Sequence, residues 1–158
     1  MTTKADFTED EWATLVRSPL VAGMAISFAD PGGPIEVLKE TSAVIKVVTA
    51  ASEDRDDLSG EVAREVRALA QDRKNPVRDF KPRGALAGKE ILDELGRANE
   101  IVAAKATAEE AEAYRAFILD CAQRAAEAAK EGGFMGFRAE LVSQGEEDML
   151  EQLRSVLS

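Results

Sequence analysis

The run Leu20-Val-Ala-Gly-Met-Ala-Ile-Ser-Phe-Ala29 carries no charge, and it stops at Asp30-Pro-Gly-Gly-Pro34. A helix that is apolar on nearly every face must be surrounded by other elements or covered by a partner. Proline and paired glycines end it sharply, and a second helix can start at once on Pro34, because proline is well tolerated at the first helical position. The chain is therefore constrained toward packed helices, with its most apolar helix early.

The rest of the chain repeats the pattern. Thr8 with Glu11, Thr107 with Glu110 and Ser143 with Glu146 each have the spacing of a capping box, in which the two side chains satisfy each other's backbone N–H. Ser18-Pro19 reads as a further start. Helices are expected over Glu9 to Arg17, Pro19 to Ala29, Pro34 to Ala51, a stretch following Ser59, Ala85 to Ala106, Ala108 to Glu131, and Glu146 to Leu157. Apolar residues fall at helical spacing in each. Trp12, Leu15 and Val16 mark the first. Val37, Leu38, Thr41, Val44, Ile45 and Val48 mark the third. Ala111, Tyr114, Ile118, Cys121, Ala122, Ala125 and Ala129 line the sixth, where so much alanine implies a close helix contact. Asn75 to Gly84 is the longest irregular segment and is locally basic, with Arg73, Lys74, Arg78, Lys81 and Arg83 expected to pair with the acidic helices around it. The expected fold is all-α: one domain over residues 1–158, a bundle of six to seven helices with the outline of two pseudo-repeated halves. Apolar residues make up 45% of the chain and aromatics only 5%, which favours closely packed helices over a β-sandwich.

Charge and missing residue types narrow the function. The 158-residue chain has a net charge of −10 and a pI near 4.6, the wrong sign for neutralising phosphates; no nucleic-acid partner is expected. The uncharged stretch Ser18 to Ala29 is short of the ~20 residues of a membrane span, and the N-terminus lacks a signal-peptide pattern. With a single cysteine and no internal disulfide, a cytoplasmic setting is expected. There is no histidine, which removes Ser-His-Asp and Cys-His catalysis and the Glu-x-x-His pair of di-iron bundles. Catalysis would fall to carboxylates, Lys39, Lys46, Tyr114 or Cys121, and no arrangement of these reads as a catalytic set.

Two stretches look alike. Ala22-Gly-Met-Ala-Ile-Ser-Phe-Ala-Asp-Pro-Gly-Gly33 leads into a helix, and Ala122-Gln-Arg-Ala-Ala-Glu-Ala-Ala-Lys-Glu-Gly-Gly133 leads, after a loop, into Val142-Ser-Gln-Gly-Glu-Glu-Asp-Met-Leu150. This order of alanine-rich helix, acidic glycine turn and capped helix resembles the TerB-like (tellurite-resistance and DjlA-type) all-helical family. The resemblance implies a seven-helix fold in two halves, a role in stress-response or membrane-linked complexes, and acidic metal-site candidates at Asp30, Glu131 and Glu146.

Two functional expectations follow. In the first, the chain is a non-catalytic binding or scaffolding protein of a stress-response complex. It requires no cofactor and takes a protein partner or forms a homodimer, with Phe134, Met135, Phe137 and Phe80 as contact residues. In the second it is a carboxylate-based domain for a divalent cation, Mg²⁺ or Ca²⁺, or for a small ligand. Asp30, Glu36, Glu40 and Glu131 would gather if the two Gly-Gly turns meet, and several carboxylates with backbone carbonyls suit those ions.

Overall fold

The computed structural model describes residues 1–130 and 142–158, the side chain of Lys130 apart. Among them are six α-helices and no strand. They are α1 (Glu9–Ala29), α2 (Pro34–Asp54), α3 (Leu58–Gln71), α4 (Ala87–Lys105), α5 (Ala108–Lys130) and α6 (Gln144–Val156), with short 3-10 turns at Lys4–Asp6 and Gly84–Leu86. All six helices contribute to one continuous core.

Two of the three capping boxes form as the spacing predicts, and the third forms by half. Thr8 accepts from the Glu11 N–H at 3.2 Å, and Glu11 accepts from the Thr8 N–H at 2.8 Å. Thr107 and Glu110 make the same reciprocal pair at the start of α5. At Ser143 the hydroxyl caps the Glu146 N–H at 3.2 Å, while the Glu146 side chain is buried. Each such cap is worth about 1 kcal/mol to its helix.

The two helices expected on either side of Ser18-Pro19 are one. Pro19 lies inside α1, buried, where it removes the N–H that would bond to the Leu15 carbonyl. The structure replaces that donor: the Tyr114 hydroxyl of α5 donates to Leu15 O at 2.9 Å. One turn earlier, the Ser18 hydroxyl donates to Thr14 O at 2.7 Å. A buried hydroxyl from a neighbouring helix thus supplies what the proline withholds. Joined in this way, α1 has 21 residues and is long and apolar enough to cross a membrane by length and composition, yet 61% of its most apolar window is buried inside the protein. It packs against each of the other five helices.

Helix α2 returns antiparallel to α1. Gly23 faces Val44, where an added Cβ would come to 3.0 Å, and Ser27 donates to the buried Glu40 carboxylate. The stripe predicted for α2 holds at two of its six positions. Val44 and Val48 face the core, but Val37, Leu38, Thr41 and Ile45 are exposed, Leu38 to 67%. Glu40, Ala51 and Ser52 complete the inward face instead. The first turns of α2 carry an exposed apolar surface at Ile35, Val37 and Leu38. Helix α5 starts at the same end as α1: Thr2 bonds to Glu110, and Lys105, just before α5, pairs with Glu11 at 2.5 Å. It therefore runs antiparallel to α2. The alanine face read for α5 is buried as expected, from Ala111 through Ala129.

Candidate functional site

A groove of about 1000 Å³ lies between α2 and α5. Two helices side by side build it, and the sequence makes its floor low. Ala43, Val47, Ala50 and Ala51 on α2 face Ala116, Phe117 and Ala128 on α5, so small side chains leave a channel where leucines would have closed one.

Charged residues line the same channel. Lys39, Lys46, Asp54 and Arg55 come from α2, and Asp120, Arg124 and Glu127 from α5. Several are neutralised within the chain. Arg55 holds Asp57 at 2.8 Å, and Arg124 lies between Asp120 at 3.4 Å and Glu127 at 4.0 Å. Among the described residues, Lys46 and Asp54 make no ion pair, and both are exposed. The arrangement suits binding an apolar object with matched polar edges.

Of the groups the sequence offered for catalysis, Lys39 and Lys46 line the groove, while Cys121 and Tyr114 do not. Cys121 is fully buried, and burial pushes its thiol far above its ordinary range. Tyr114 is equally buried, raised by desolvation, and committed to Leu15 O. Both are structural groups in α5.

The acidic candidates are distributed as follows. Asp30 caps the C-terminus of α1 through its own N–H to Ile26 O. Glu146 is buried in the first turn of α6. The segments that carry them adjoin, since a Cβ on Gly145 would meet Ala29 O at 2.8 Å. Glu36 folds back over the Gly32-Gly33 turn, and Glu40 is buried against Ser27. Glu131 lies outside the described residues, as do Phe134, Met135 and Phe137. Among the described residues, no group of three or more His, Cys, Asp or Glu side chains is placed to hold a metal ion.

Phe80 is half-buried and packs against the core from the irregular segment, leaving the cations there outermost. Arg73, Lys74, Arg78, Lys81 and Arg83 are all exposed. Arg78 pairs with its neighbour Asp79, at 3.8 Å, and among the described residues the expected pairing of these cations with acidic helices does not form.

The groove was not legible in the sequence. Its signal was present as the alanines of α5 and the lysines seven apart in α2, but only the pairing of those two helices brings them together. Comparison with protein-family models, with characterised proteins and with solved structures gives no match.

Proposed function

We propose that this chain is a non-catalytic binding protein that engages a protein partner through the α2–α5 groove, as a member of a stress-response complex in the cytoplasm. The groove carries the reading: it is long, floored by small apolar side chains and edged by charge, the form in which helix-in-groove recognition is built. The burial of Cys121 and Tyr114 supports a binding role over a nucleophilic one. The stress-response setting rests on the resemblance to the TerB-like family alone.

The test is capture of the tagged chain from its native cell extract at low salt, beside the variants Ala50→Arg and Ala116→Arg. Both alanines are exposed in the groove, and arginine is a good helix former, so each variant fills the channel without unfolding its helix. A stoichiometric protein retained by the parent and lost from both variants is expected. Retention unchanged by both variants would overturn the groove as the contact. A stoichiometric divalent ion without a protein, found by elemental analysis of the same eluate, would move the reading to the Asp30 and Glu146 end.

A further inference from the structure

Resting on that reading, we infer that the occupant of the groove is an amphipathic helix of the partner, with a small-residue apolar face, an acidic residue over Lys46 and a basic residue about two turns away over Asp54. The walls are themselves helices, whose backbone N–H and C=O groups are spent internally, so an extended strand would find nothing to pair with. A concave channel between two antiparallel helices is filled best by a third cylinder. Two copies of this chain, each presenting a concavity, would leave the space between them empty.

The alanine floor sets the apolar face. Ala43, Ala50, Ala51, Ala116 and Ala128 admit close approach only from an occupant with small or flexible side chains at the contact. From Leu38 to Arg55 the α2 wall runs about 25 Å at the helical rise, the length of some 17 residues of helix.

The charges set the register. Arg55 and Arg124 are matched within the chain, so they ask nothing of an occupant. Lys46 and Asp54 are the groove charges without an ion pair among the described residues, and they lie eight positions apart on one helix, about 12 Å. An occupant helix therefore meets a positive wall toward the α2 N-terminus and a negative one toward its C-terminus. Such charges add little affinity but reject the reversed order, which is how rim charges set register.

The probe is a displayed library of helices of about 18 residues, enough to span the channel. Its apolar face is drawn from Ala, Val, Leu and Met and its flanks from Glu, Gln and Lys. Selection is on the full chain, with counter-selection on Ala50→Arg. Enriched helices are expected to carry Glu and, about eight positions away, Lys on one flank. Lys46→Glu and Asp54→Lys should each weaken them about two- to fivefold, the range of exposed ion pairs. The same peptide with its two charges exchanged should recover its affinity on the Lys46→Glu/Asp54→Lys chain. Enriched helices without that order, or no recovery on charge exchange, would overturn this inference and leave the groove reading standing. No enriched helix at all would overturn this inference, while the groove reading stands or falls on retention by Ala50→Arg and Ala116→Arg. A concentration-dependent dimer in sedimentation, abolished by Ala50→Arg, would assign the groove to a second copy and overturn it as well.

Discussion

Pro19 and Tyr114 meet at one backbone carbonyl in the core. The proline leaves the Leu15 carbonyl without its helical donor, and the Tyr114 hydroxyl supplies one from α5. Tyr114→Phe should therefore cost about 1–3 kcal/mol, the range for a buried acceptor left unsatisfied. In a Pro19→Ala background the restored N–H can bond to the same carbonyl, and the tyrosine substitution should cost less. A double-mutant cycle by chemical denaturation measures the difference. Equal costs in both backgrounds would mean that the hydroxyl and the proline are independent. Cys121 illustrates the same scale from the other side: its place on an apolar helix face already implied a buried, unreactive thiol, and the structure buries it completely.

The helices are bounded mostly by local chemistry, and their ends behave accordingly. The C-terminus of α3 is the exception worth testing. Arg73 sits there at φ +56°, with the Lys74 N–H bonding back to Leu69 O at 2.8 Å, the closing bond of a Schellman turn. A non-glycine residue in this left-handed region carries about 1 kcal/mol of strain. Because Arg73 is exposed and makes no ion pair among the described residues, Arg73→Gly should raise stability by up to about 1 kcal/mol, read as a higher midpoint in thermal unfolding. A lower midpoint would show that the turn tolerates arginine without strain. The same element scale explains where the pattern in α2 misleads. Periodicity places Val37, Leu38 and Ile45 on one stripe with Val44 and Val48, but a helix has only as much buried face as its neighbours cover. The first turns of α2 have fewer neighbours than its apolar content would use.

Across the whole molecule, the N-terminus is held to α5 by one carboxylate. Glu110 accepts from the Thr2 N–H at 2.8 Å, the Thr2 hydroxyl at 2.6 Å and the Thr107 N–H at 3.1 Å. The Thr2 hydroxyl leads in lowering its pKa to about 2. A depressed carboxylate takes up more protons in the unfolded chain, so its contribution is present above pH ~4.5 and is lost as pH falls toward 2. Glu110→Gln should flatten that part of the stability profile, with a difference on the order of 1 kcal/mol after solvent screening. Denaturation midpoints between pH 2 and pH 6 read it directly, and parallel profiles for the two chains would count against Glu110 as the titrating group. What the amino-acid sequence determined by itself was the all-α class, the caps at Thr8 and Thr107, the break at Asp30 to Gly33 and the alanine face of α5, because each of these acts within a turn or two of its own residues. Only the tertiary structure decided that α1 runs through Pro19, that Glu40 is buried while Leu38 is not, and that α2 and α5 leave a groove between them. Those outcomes depend on groups far apart in sequence, such as Leu15 and Tyr114, meeting across helices, and no local pattern records which helix will stand beside which.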